Sequence, residues 1–487
     1  MDRLTDILFA MTVLLAVLAA TTEQFSSVHL VLMYLFLIAI AFNQYDSRIH
    51  GDISPLFSLQ VGLTFGLGTI LIILVVGGLG FRRLELLAVF FVLFAFVLAR
   101  DDLVGFLPTA APYLGAAAAV TGIFLFHAQE FGSGSGLGLF PVFAAIVLAF
   151  NLFVLPRYVS ADAVYWTVAT VTAGITAMSL PAVIYGDFSL WIFEVRTWTG
   201  SLSPPLLDRE VPIVRSIFAN PNTFGLLVFP GVVASAVTAH RTVTRSSYPL
   251  LATVPLGCLG LTAIGLYLSN SRASMLAAAV AVGVYALAVT NRRLIPAIVV
   301  GVSLLVPLFL TLVYVGVLPI DPAHRFTLWR AGVDAMRHDS GLLGQGLVGT
   351  GAAIEPYLDD GGSVHSSYLS IGIRAGLLGG LAYCVLVFGS LIHGVAGYRR
   401  VNVGMLALAT GFAVHQLFEG YTLFSLGPGS IFGALAIGYV IASLAGEPAI
   451  GVSNETEHRV GSERATRENV RYGSDVQYRT ENHNDRL

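Results

Sequence analysis

Apolar runs long enough to cross about 30 Å of hydrocarbon recur along most of the chain, separated by polar connections that are mostly a few residues long. They fall near 5–22, 27–43, 55–81, 84–99, 109–127, 137–155, 163–185, 222–240, 249–269, 273–290, 294–318, 366–392, 402–418 and 425–445. A helix satisfies its own backbone in lipid, so each run predicts a membrane helix. The pattern predicts an all-α, polytopic helical membrane protein with about 12–14 transmembrane helices. Two hydrophilic connections stand out, 186–221 and 319–365, the second being the one long loop. The apolar domain spans 1–445, and the polar tail at 446–487 lacks any apolar period and reads as disordered. An Asn454-Glu455-Thr456 sequon in that tail reads as a chance match. Residues Ile7 to Ala20 resemble a signal peptide in length, but Asp2 and Asp6 outnumber Arg3 where such a peptide wants positive charge. The stretch is therefore expected to be the first membrane helix.

Composition agrees with the pattern. Of 487 residues, 56% are hydrophobic and 11% charged, against roughly 25% charged in soluble domains, which excludes an ordinary cytosolic enzyme. All 26 basic residues are Arg, and they form no basic run that would neutralise nucleic-acid phosphates. Cys258 and Cys384 both sit in apolar stretches and read as small buried hydrophobes.

Arginine placement gives an orientation. Arg241 and Arg245, Arg292 and Arg293, and Arg399 and Arg400 occupy alternate short loops, which the positive-inside rule assigns to the cytoplasm. The tail is then cytoplasmic, and both long connections lie on the extracytoplasmic face of a multi-pass plasma-membrane protein. Arg48, Arg100 and Arg157 agree with this orientation, whereas Arg82 and Arg83 fall on the opposite side.

Arginines near membrane depth on the outer face call for an explanation, since Arg costs roughly 2.5–3.5 kcal/mol at a helix centre on insertion scales. Arg215 precedes Asn220-Pro221-Asn222 at a helix start, where either Asn can cap. Arg272 lies in Ser269-Asn270-Ser271-Arg272, which joins two helices with almost no loop. It is either a cation at the level of a lipid phosphate or an arginine that snorkels to headgroups. Arg325 and Trp329 open the long loop's polar segment, and His365 closes the loop where the chain re-enters the membrane before Tyr368. His415 and Glu419 are spaced i, i+4 near an outer helix end, where they either meet acceptor sugar or pair with each other. Arg374 lies deep in the helix after His365, with no partner evident from sequence. Trp191, Trp198 and Trp329 suit sugar stacking, or simply the interfacial aromatic belt.

In order along the chain, these residues resemble the O-antigen ligase and polymerase superfamily of integral-membrane glycosyltransferases. The resemblance rests on Arg215 with Asn220-Pro221-Asn222, Ser271-Arg272, Arg325 with Trp329, Gly344 with Gly346, and His365 with Tyr368-Leu369, followed by Gly376-Leu377-Leu378-Gly379. It covers about residues 180–445. Ser366 stands where the family usually has Asn, and Ala273 where Gly is common. The resemblance implies transfer of a glycan from a polyprenyl (di)phosphate carrier to an acceptor hydroxyl (of a glycan, lipid or protein) on the outer face. Arg215, Arg272 and Arg325 would then bind the carrier phosphate, for which Arg is suited by its fixed charge and bidentate fork. His365 would be the general base, a role that suits imidazole near neutral pH. Asn220, Asn222, Trp329, Tyr368, His415 and Glu419 would support the site or meet the acceptor. An inverting, single in-line displacement needs no covalent nucleophile, cofactor or metal.

Three rivals remain at this level. A flippase for lipid-linked oligosaccharides would show internal repeats, and none is visible. A metal-dependent glycosyltransferase would use Asp359-Asp360, although the following Gly361-Gly362 also suits a solvated turn. A scaffold without chemistry would leave the outer arginines unexplained.

Overall fold

The structure is a computed structural model that describes residues 107–128, 140–158, 161–190, 193–203, 210–245, 252–315, 317, 325–358, 362–425 and 427–445. The runs expected at 5–22, 27–43, 55–81 and 84–99, the polar tail, Trp191 and the Asp359-Asp360 pair lie outside these residues.

Within the described residues the expected helices form, with edges shifted by a few residues. They are α1 (Leu107–Ala128), α2 (Phe140–Ala149), α3 (Ala161–Ser179), the short α4 (Ala182–Tyr185), α5 (Pro221–Arg245), α6 (Thr253–Leu268), α7 (Arg272–Thr290) and α8 (Ile295–Tyr314). The second half adds α9 (Arg325–Ala335), the single turn α10 (Thr350–Ile354), α11 (Ser367–Cys384), α12 (Ser390–Ala396), α13 (Val403–Phe418) and α14 (Pro428–Leu444). A π turn at Phe150–Val154 carries α2 on to Leu155–Tyr158. Another at Val385–Gly389 joins α11 to α12. Among the described residues five helical stretches are long and apolar enough to cross a membrane. The chain is a polytopic helical membrane protein.

Local chemistry sets several helix starts. Asn220 is the cap of α5: its Oδ1 accepts from Thr223 N at 2.8 Å and from the Thr223 hydroxyl at 3.0 Å, and Pro221 fills the first helical position, where a missing N–H costs nothing. Asn402 caps α13 in the same way, accepting from Met405 N at 3.2 Å. Helices α5, α13 and α14 form the centre. Every residue of α13 from Val403 to Gln416 is buried, as expected of a helix apolar on all sides. Small residues let the backbones approach. A β-carbon at Gly231 of α5 would stand 2.1 Å from Thr172 Oγ1 of α3. Leu304, Leu305 and Ile392 are exposed, as lipid-facing side chains would be.

Two departures from the expected pattern matter. The connection at 186–221 is a three-stranded antiparallel sheet, β1 (Phe188–Leu190), β2 (Phe193–Leu202) and β3 (Val211–Ser216), in the order β1-β2-β3. Its inner positions, Val195, Val211, Ile213 and Val214, are buried. The helix expected over 366–392 is broken at Gly376, whose φ of +65° and ψ of −165° are not helical.

The polar contacts sort the molecule into two ends. At one, Arg241 pairs with Asp162, the Tyr165 hydroxyl donates to Asn402 Oδ1 at 2.7 Å, and Arg292 donates to the Arg399 carbonyl at 2.8 Å. At the other stand the sheet, the starts of α5 and α7, the loop leading to His365, and the end of α13. Among the described residues, Arg241, Arg292 and Arg399, which sequence assigned to the cytoplasm, thus stand at the end opposite Arg215, Arg272 and Arg325.

Candidate functional site

The site grows from the end of α13. Glu419 follows the last helical residue, Phe418, and its side chain is 14% exposed. Arg325, the first residue of α9, donates to the Phe418 carbonyl and places its other guanidinium nitrogen 3.2 Å from Glu419 Oε1. His365 brings Nδ1 to 4.0 Å from Glu419 Oε2 while remaining 40% exposed. A largely buried carboxylate therefore lies between a guanidinium and a more accessible imidazole. Burial works to raise the Glu419 carboxyl. The His365 imidazole, with His415 and Arg325, outweighs it and holds the group below the usual carboxylate range.

The backbone around this carboxylate is fixed from the α11 side. The Ser367 hydroxyl donates to the Glu419 carbonyl at 2.7 Å and also engages the Tyr421 carbonyl. At the next residue, the Tyr368 hydroxyl donates to the Ala413 carbonyl at 2.9 Å, and its ring stacks on Phe388 at 5.2 Å. Tyr368 is thereby a strut between α11 and α13. Trp329, on the helix that carries Arg325, packs against Phe418 and Phe326 at 5.9 and 5.6 Å. Its indole nitrogen is buried without a hydrogen-bond partner, as is Ser370 Oγ.

Arg215 and Arg272 stand on neighbouring elements. Arg215, on β3, donates to the Ala219 carbonyl at 3.1 Å and lies 5.5 Å from the centre of the Trp198 ring. Asp187 accepts from the Thr197 backbone N–H and hydroxyl, both at 2.7 Å. These bonds, with the nearby Arg215 and Arg196, hold its carboxyl below the usual range. Arg272 is the exposed first residue of α7. The two arginine-bearing segments meet through Gly225 of α5, where a β-carbon would be 2.5 Å from Ser271 Cβ and 2.9 Å from Ser269 Oγ. Only glycine lets α5 and the Ser269–Arg272 turn approach so closely.

One feature ties the three segments together. Among the described residues, three non-glycine residues have positive φ: Ser216 at +57°, Asn270 at +49° and His365 at +46°. The first follows Arg215, the second precedes Ser271-Arg272, and the third is the candidate base itself. Left-handed backbone in non-glycine residues costs roughly 1–3 kcal/mol and tends to collect at functional sites.

The remaining sequence candidates take other places. Asn222 lies inside α5, so the cap is Asn220. His415 and Glu419 do not hydrogen-bond to each other. His415 is wholly buried, bonds Ser274 Oγ through Nε2 at 3.0 Å, and stacks on Phe229 at 5.7 Å. Arg374 finds the partner that sequence could not name, donating from Nε to the Val348 carbonyl at 3.1 Å. Gly344 and Gly346 dock on the break in α11: Gln345 N donates to the Ile373 carbonyl at 2.8 Å and Gly346 N to the Arg374 carbonyl at 2.9 Å.

Sequence reasoning missed the Arg325–Glu419–His365 arrangement, although an acid at a helix end on the same face was a usable signal. It also missed Ser274, which reads as an ordinary small helical residue. Among the described residues no three His, Cys, Asp or Glu side chains gather as a metal cluster.

Residues 257–384 match the family model described as O-antigen ligase. The match runs from α6 to the end of α11 and includes Arg272, Arg325, Trp329, His365 and Tyr368; Arg215, His415 and Glu419 lie outside it. No curated protein matches the chain.

Proposed function

We propose, from the premise that the chain belongs to the O-antigen ligase superfamily, that it transfers glycan from a polyprenyl (di)phosphate carrier to an acceptor hydroxyl at the extracytoplasmic membrane surface. The family makes it a membrane enzyme of glycan assembly resembling O-antigen ligases and polymerases.

His365 takes the proton from the acceptor hydroxyl. That oxygen forms a bond to the anomeric carbon as the carbon–oxygen bond to the carrier phosphate breaks, with inversion. The electron pair leaves on the phosphate, where Arg215 and Arg272 offset the developing charge. Glu419, held by Arg325, faces Nδ1 of His365 and leaves Nε2 for the acceptor. It also favours the imidazolium that forms as the proton arrives, the role a carboxylate plays beside other histidine bases. Arg325 is thus read as the carboxylate's anchor rather than as a phosphate ligand, because its guanidinium is already committed to Phe418 and Glu419.

The observation that carries the reading is the left-handed backbone at Ser216, next to Arg215, at Asn270, two residues before Arg272, and at His365 itself. Three segments far apart in sequence are held in left-handed backbone where the family resemblance seeks phosphate cations and a base. The test is made in the native host. His365→Ala, Arg215→Ala and Arg272→Ala are introduced singly, membrane expression is confirmed, and surface glycan length and attachment are measured. Each variant is expected to lose surface glycan while lipid-linked glycan accumulates on the outer leaflet. Full activity of His365→Ala would end the general-base assignment, and accumulation on the inner leaflet would favour a flippase.

A further inference from the structure

His415 is a buried imidazole that the proposed chemistry does not use. Its Nε2 lies 3.0 Å from Ser274 Oγ, which lies 2.9 Å from Ser271 Oγ; all three residues are buried. Ser271 is the N-cap of α7, yet its side chain caps no backbone N–H. A serine in that position ordinarily spends its hydroxyl on such a bond. Here the hydroxyl is directed down the chain to Ser274 and His415. The same turn carries the left-handed Asn270 and the contact with Gly225, and it delivers the exposed Arg272. The other end of the relay lies on the last turn of α13, four residues before Glu419, with Phe229 stacked on His415 at 5.7 Å and Tyr421 against it at 5.5 Å.

We infer that His415 is a positioning residue that locks the Ser271-Arg272 turn, through Ser274, to the helix end that presents Glu419 to His365. The chain of hydroxyls sets where the Arg272 guanidinium stands relative to the base, and so sets how well the enzyme holds a lipid-linked phosphate. The inference rests on the reading that Arg272 binds the carrier phosphate. A buried polar chain of this kind is worth most when every link is made, so removing any one link should release the turn.

The test uses the full chain in liposomes, with a polyprenyl diphosphate-linked glycan as donor, and separates KM from kcat. Ser274→Ala and His415→Ala are each expected to raise the donor KM about tenfold, the scale of one lost hydrogen bond. The acceptor KM and the pH profile of kcat should stay unchanged. The double variant should be no worse than either single one, because both break the same chain. His415→Gln, whose amide can still reach Ser274, should recover part of the loss. A residue that only supports folding would lower the active fraction and leave the donor KM unchanged; that result overturns the inference. Arg272→Ala distinguishes the two layers. If it leaves the donor KM unchanged, the phosphate-binding reading fails and the relay with it. If it raises the KM while Ser274→Ala does not, the relay alone fails.

Discussion

Glu419 is the residue on which the site turns. Its carboxyl is nearly buried and is held below the usual range by the groups around it. An acid whose folded pKa is depressed contributes stability above its unfolded value, about 4.3 for Glu, and loses that contribution as pH falls through the lower folded value. Glu419→Gln should therefore lower the melting temperature of the purified protein at pH 7, and the gap to wild type should close below about pH 4. Thermal melts from pH 7 to pH 3 check this; a gap independent of pH would contradict it. At this scale the sequence was partly legible. His365, Arg272 and Arg215 stood out because polar residues at membrane depth are costly. The i, i+4 spacing of His415 and Glu419 misled, because α13 ends at Phe418 and Glu419 continues in extended backbone, so each finds a different partner.

Among the elements, α11 shows what hydrophobic patterning cannot see. Apart from Arg374 the run is apolar, so it reads as one helix, yet the backbone breaks at Gly376. Gly344 and Gly376 approach so closely that a β-carbon on Gly376 would stand 2.4 Å from the Gly344 nitrogen and the Leu342 carbonyl. Gly376→Ala combines that overlap with a left-handed backbone. It should destabilise the protein by more than about 1 kcal/mol, detached first at the 341–346 segment. Hydrogen exchange would report this as lost protection at Gly346, whose N–H now donates to the Arg374 carbonyl; unchanged protection there would contradict it. The sheet at 188–216 was invisible for a related reason. On β2 the buried Val195 sits between Glu194 and Arg196, which reads as mixed polarity in a window tuned to membrane helices.

For the molecule as a whole, the order of apolar runs carried the architecture, and arginine placement separated two ends that the side-chain contacts also separate. Which end faces the cytoplasm is testable with an impermeant thiol reagent on intact cells, in a background of Cys258→Ser and Cys384→Ser. Trp198→Cys, in the sheet, should label from outside, and Arg399→Cys only after permeabilisation; the reverse pattern would invert the topology. Distances between segments remote in sequence were beyond reach of the sequence, which is why the carboxylate shared by Arg325 and His365 emerged only from the structure. The most direct measurement is transfer by the purified chain in liposomes, from a polyprenyl diphosphate-linked glycan to an acceptor, with and without a chelator. Turnover by wild type should survive the chelator, and His365→Ala should lose on the order of 10²-fold or more in kcat. Full turnover by His365→Ala, or abolition of wild-type turnover by the chelator, would contradict the account.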